Sequence, residues 1–198
     1  MTEIILATSN EGKIKEIKAA FRDADIKWLT AADFEDWPEV EETEPTFEGN
    51  ARKKAVTLAG YFGKSALADD SGLEVDALGG RPGVMSARFS DPDATTERNN
   101  EKLLAELADV PYEERTAHFS CVIAYAEPNG DVETTEGSVA GHIVMHPSGD
   151  KGFGYDPLFI PIGYDRTMAE LDISEKNKIS HRGQALRQMA EVITERLA

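Results

Sequence analysis

The chain has 198 residues, 40% of them hydrophobic and 29% charged, and its 21 Lys plus Arg against 37 Asp plus Glu leave a formal net charge of -16. Such a length and composition describe a folded domain over residues 1–198, with room for two lobes, and argue against disorder, collagen-like repeats and coiled coils. With no basic stripe, the acidic excess argues against a grip on a nucleic-acid polymer, whereas a few lysines with a divalent cation can still hold one small anion.

The start, MTEIILATSNEGK, carries Glu3 and turns polar by Thr8. Its apolar run is too short for a signal peptide or a membrane span, so a cytoplasmic enzyme without a membrane partner is expected. Glu3 to Ala7 reads as a strand, Thr8-Ser9-Asn10-Glu11-Gly12 as a loop, and Ile14, Ile17, Ala20 and Phe21 as a helix. Ile26 to Leu29 is a second short strand, and Asp33 to Pro45, with two prolines among many carboxylates, is loop. Thr46 then caps a helix whose Phe47, Ala51, Ala55, Leu58, Ala59 and Phe62 keep three- and four-residue steps, with Lys53 and Lys54 on it and an end near Gly60 to Gly63.

Ser65 to Ala68 reads as a strand ending at Asp69-Asp70-Ser71-Gly72, followed by an alternating run from Leu73 to Ala77 and a turn from Gly79 to Gly83. Thr96 to Leu107 is a helix closed by Val110-Pro111. His118 to Ala126 is a strand, Asn129-Gly130 a hairpin turn, Asp131 to Val139 its return, and His142 to Met145 a further strand. Gly152 to Pro157 is a turn before the short strand Leu158 to Ile160. A last helix from about Arg182 to Leu197 carries Ala185, Leu186, Met189, Ala190, Ile193 and Leu197 on one face. Helices mixed with strands throughout give an α/β or α+β class.

Four segments carry candidate chemistry. Thr8 to Lys13 sits where a strand hands over to a helix, and free amides, hydroxyls and a lysine there suit phosphate oxygens, although a capped helix start with a solvated Lys13 uses the same residues. Asp69 and Asp70, with Glu39, Glu41 and Glu42 upstream, are costly side by side unless a cation offsets them. A hard divalent metal or an exposed acidic turn are the two readings. Gly152-Phe153-Gly154-Tyr155-Asp156-Pro157 alternates aromatics with glycines that let a backbone approach a flat base, or else anchors a turn on the core. Lys176 with Ser180-His181-Arg182 offers donors for a purine's oxo groups, or plain polar residues at a helix start. Cys121 stands alone in an apolar alternation and reads as a buried structural thiol.

Taken in order, ILATSNEGKIKEI, TFEGNARKKA, LADDSGLEVDALGGRPGVMSARFS, GFGYDPLFIP and EKNKISHRGQAL resemble the inosine triphosphate pyrophosphatase family, in its bacterial dITP/XTP form, over essentially the whole chain. The resemblance implies a long central mixed sheet flanked by helices, two lobes around a substrate cleft, and a homodimer. It implies Mg²⁺-dependent hydrolysis of ITP, dITP and XTP to the monophosphate and pyrophosphate. It also implies roles. Thr8, Ser9, Asn10, Glu11, Gly12 and Lys13 would contact the triphosphate, with Asn50 and Lys54 close by. Asp70 would be the catalytic carboxylate and a metal ligand, with Asp69 in support, Ser71 on the substrate and Glu42 as the second metal ligand. Phe153 would stack on the base, Gly154, Tyr155 and Asp156 would shape its pocket, and Lys176, His181 and Arg182 would read its oxo groups. A pyrophosphatase for other modified nucleotides, and a nucleotide-binding regulator without hydrolysis, are the rival readings.

Overall fold

The computed structural model describes residues 2–197. Its chain order is β1 (Thr2–Leu6), α1 (Glu11–Ala20), β2 (Ile26–Leu29), α2 (Phe47–Phe62), β3 (Ala66–Val75), α3 (Thr96–Glu106), β4 (Thr116–Ala126), β5 (Val132–Ile143), β6 (Phe159–Pro161), α4 (Ile173–Ile179) and α5 (His181–Leu197), joined by loops and short 3₁₀ turns. The strands form one sheet in the order β2-β1-β3-β4-β5-β6. β1 runs parallel to both β2 and β3, while β5 and β6 are antiparallel, so the sheet is mixed, as the α/β reading expects.

The chain divides into two compact units: Met1–Asp70, Cys121–Gly137 and Arg182–Ala198 form the first, and Ser71–Ser120 with Ser138–His181 form the second. In the first unit, strand alternation sorts side chains onto two helix-covered faces. Leu67, Cys121, Ile123 and Tyr125 pack with Ile17 and Phe21 near α1 and with Ala185, Leu186, Met189 and Ile193 of α5. Ala66, Ala68, Val122, Ala124 and Ala126 pack with Ala51, Ala55, Leu58 and Ala59 of α2. The small residues on this second face let α2 lie close against the sheet. Leu197, assigned by its spacing to the apolar face of α5, has a side chain outside the described residues. The second unit gathers Leu73 and Val75, Leu103 of α3, Leu107, Ala117 and Phe119, and Leu158 and Phe159 into its own core.

The local signals place most boundaries. Thr46 accepts the Gly49 amide at 3.0 Å and caps α2, which ends at Gly63 in the left-handed region with φ 61°. Two expectations need correction. Asp69 and Asp70 do not lie at a strand end, because β3 continues through Ser71 and Gly72 to Val75. Their composition favours a turn, yet both carboxylates are buried beside cationic partners, and that tertiary compensation overrides the local preference. Likewise the expected pair of strands around Gly141 is a single strand, β5. Gly141 stands opposite Pro161, and a Cβ there would come within 2.2 Å of the Ile160 carbonyl oxygen, so this glycine serves close strand approach and not a break. Helix α4 went unread because its seven residues are too few to show a period.

Candidate active site

In the first unit the loop after β1 enters α1 through Asn10, whose side-chain oxygen accepts the Lys13 amide at 3.1 Å, while the Asn10 amide donates to Thr8 Oγ1 at 3.1 Å. Ser9, Asn10 and Glu11 are exposed, and Thr8 and Gly12 are half-buried. Lys13, one turn into the helix, points its ammonium inward to Asp69 Oδ1 at 2.9 Å.

The side-by-side aspartates part company because successive residues of a strand face opposite ways. Asp69 takes the face of α1 and α5. It is fully buried, and besides Lys13 it accepts Arg182 Nε at 2.9 Å, with Cys121 Sγ at 3.8 Å. Arg182 in turn donates through Nη1 to Glu16 of α1 at 2.5 Å, completing a buried row of two acids and two bases. Burial pushes Asp69 up, but Lys13 and Arg182 outweigh it and hold the carboxyl well below the usual range. Asp69 is therefore a fixed anion.

Asp70 takes the face of α2. Its Oδ2 accepts Asn50 Nδ2 at 3.0 Å, and Asn50 also accepts the Glu44 amide at 2.9 Å, so one amide fixes both the carboxylate and the acidic loop. Lys54 joins the two faces: its ammonium donates to the Asp69 backbone carbonyl at 2.7 Å and pairs with Glu42. Burial pushes Asp70 above the usual carboxylate range, Lys54 opposes that, and the Glu42 charge adds to it. Of the three upstream acids, Glu39 and Glu41 are exposed, while Glu42 lies beside Lys54 and acts electrostatically on Asp70. Among the described residues no group of three or more His, Cys, Asp or Glu could hold a metal ion.

In the second unit Phe153 sits on a turn set by its neighbours. Asp156 Oδ2 accepts the Phe153 amide at 2.8 Å and pairs with buried Lys176 at 2.6 Å, and the Lys176 ammonium lies 4.7 Å from the centre of the Phe153 ring. Gly152 has φ 74° and no room for a Cβ, which would meet Asp156 Oδ2 at 2.1 Å. His181 is buried and stacks on Phe119, with ring centres 4.8 Å apart at 9°. Ser71 is half-buried on β3.

The sequence matches the Ham1 family over residues 4–192. The chain is a member of the Ham1 family. It is 53% identical to a Geobacter sulfurreducens protein named dITP/XTP pyrophosphatase, across 94% of both chains. It is 48% identical to a Bacillus licheniformis protein of that name, across 98% of both. Among solved structures, a HAM1 protein from Coxiella burnetii superposes with a TM-score of 0.89 at 44% identity, covering 98% of this chain and all of that one.

Within this Ham1 chain two of the expected site residues also have partners far away in sequence. Arg182 is 1% exposed, and its guanidinium bridges Glu16 and Asp69. The Tyr155 ring is buried in the core of the second unit, and its hydroxyl donates to the Ser86 carbonyl at 2.8 Å. Glu16 escaped the sequence reading, although a carboxylate one residue before Ile17 and three after Lys13 on a short helix was a usable signal. Asn99 and Asn100 also escaped it. Asn99 holds residues 86–90 through bonds to Ser90, Ser86 and Ala87, and Asn100 donates to the Gly154 carbonyl at 3.2 Å. No local pattern marks them.

Proposed function

We propose that this chain hydrolyses the α–β phosphoanhydride bond of 6-oxopurine nucleoside triphosphates, ITP, dITP and XTP, to the monophosphate and pyrophosphate. The observation that carries the reading is Asp70, a buried carboxylate held by Asn50, acted on by Lys54 and Glu42, and raised by burial above the usual carboxylate range. The pyrophosphatase names of the relatives support the substrate class.

Asp70 orients the attacking water and takes its proton. The new oxygen–phosphorus bond forms at the α-phosphorus as the bond to the bridging oxygen breaks, and pyrophosphate leaves with that electron pair. Lys13 and Lys54 meet the charge on the leaving group, and no covalent nucleophile is required. Cys121 is not one, since burial pushes its thiol far above the ordinary range.

Asp70 and Glu42 are the residues that would hold Mg²⁺. They fit it, being two carboxylates that repel each other, and Mg²⁺ takes one or two carboxylates together with phosphate oxygens. Bound there, the ion supplies neutralisation of triphosphate charge. At the base, Phe153 stacks, and Lys176, His181 and Arg182 are the donors that meet a 6-oxo group. Adenine's amine at that position leaves them facing a donor.

The test is pyrophosphate release from ITP, XTP, GTP and ATP, each with Mg²⁺ and with EDTA, with the nucleotide product identified. Metal-dependent IMP or XMP formation with ATP spared is expected. Orthophosphate with a diphosphate product, or no turnover, overturns the reading. The same reading takes the chain as a cytoplasmic homodimer, and a monomer mass by light scattering would remove the dimer.

A further inference from the structure

We infer that Asn100 is a positioning residue for the base-stacking turn: it holds the Gly154 carbonyl and through it the Phe153 ring. The inference rests on the reading of Phe153 just given. Helix α3 carries two adjacent asparagines, and residues one apart on a helix point about 100° away from each other. Their amides therefore serve different loops. Asn99 is saturated: its oxygen accepts the Ser90 amide at 2.8 Å and hydroxyl at 2.7 Å, and its nitrogen donates to the Ser86 and Ala87 carbonyls at 3.3 and 3.1 Å. It is the structural member of the pair.

Asn100 is different. Its nitrogen donates to the Gly154 carbonyl at 3.2 Å, and its Oδ1 is buried with no hydrogen-bond partner among the described residues. A carboxamide that exists to stabilise the fold has both ends satisfied, because an orphaned buried acceptor is itself destabilising. Asn100 keeps that orphan and still spans to the turn, so its use lies in where the Gly154 carbonyl is held. Gly154 follows Phe153 directly and has φ 62°, a left-handed conformation that a side chain would resist. Asp156 fixes the peptide entering Phe153, Asn100 fixes the carbonyl of the next residue, and Tyr155 ties the turn to Ser86. The ring is thus clamped on both sides along the backbone. Releasing one clamp frees the ring before the base arrives, and ordering it is then drawn from binding.

The experiment compares wild type with Asn100→Ala. Alanine removes the orphaned oxygen and is the better helix former, so Tm is expected not to fall. KM for XTP is expected to rise about three- to tenfold, the worth of one hydrogen bond, with kcat within about twofold. Inhibition by inorganic tripolyphosphate, which has no base, is expected to be unchanged, and hydrogen exchange across residues 152–157 to quicken. Asn100→Asp, nearly isosteric but without the donor, is expected to reproduce the exchange and KM changes. Unchanged exchange and KM would overturn the inference, as would kcat and Tm falling together. If wild type itself fails to turn over XTP, the proposed function falls, and the exchange measurement alone still decides the clamp.

Discussion

Asp69 and Asp70 are neighbours on one strand, yet the α1/α5 face and the α2 face treat them in opposite ways. On the first face two cations from two helices close on a fully buried anion, and Glu16 balances the second of them. On the other face burial outweighs the pull of Lys54 and Lys13, and a second acid, Glu42, adds to it. The first arrangement suppresses basicity: a carboxylate held far below its usual range does not take a proton. The second preserves it, since a raised carboxyl is a stronger base and gains from a cation or a polarised water. A pair of acids that reads as one motif is thus one carboxyl held down by cations and one pushed up by burial, separated by the two-residue period of the strand.

The sharpest way to break this contrast is Asp70→Asn. Hydrolysis of XTP is expected to fall by about 10²–10⁴-fold while nucleotide binding, followed by calorimetry, persists. Retained turnover would place the working charge elsewhere. On the scaffold face, Arg182→Met removes one of the cations on Asp69 and the guanidinium that Glu16 pairs with. It is expected to cost about 3–5 kcal/mol, read as a fall in Tm of roughly ten degrees, and a normal Tm would mean that the row is not cohesive.

The comparison extends to the second unit, where one aromatic ring takes the place of charge. Phe153→Ala is expected to weaken base binding by about 1–3 kcal/mol, raising KM for XTP with little change in kcat, whereas loss of kcat would give the ring a part in the chemistry. The smallest effect is on the surface. Glu3 is bonded to Lys27 at 2.8 Å and to Lys64 at 2.6 Å, and these lysines hold its carboxyl down at about 2. Because its folded pKa is depressed, its stabilising effect is present above the unfolded carboxylate range and is lost as pH falls toward about 2. Wild type and Glu3→Gln should therefore converge in Tm between about pH 4 and pH 2, and should differ little in high salt.

Much of the fold was legible because its signals are local. Thr46 and Gly63 bound α2, Asn129-Gly130 marks the hairpin, and the apolar spacing of Ala185 to Ile193 gives α5 its face. β3 and β5 were misread as broken for the same reason, since glycines and acids favour turns in isolation and only a neighbouring strand or a facing cation reverses that. At the site, the sequence named the residue types and, through resemblance, their order along the chain. It did not assign Arg182 to Asp69, Tyr155 to the core or Asn100 to Gly154, because those partnerships join residues far apart in sequence.

By itself, then, the sequence determined a mixed α/β chain of the Ham1 family with phosphate-suited, acidic and aromatic segments in a set order. Only the tertiary structure decided which carboxyl is held down by cations and which is pushed up by burial. That division depends on strand continuity through residue 70 and on which helix covers each face, and neither is encoded in the spacing of the residues themselves.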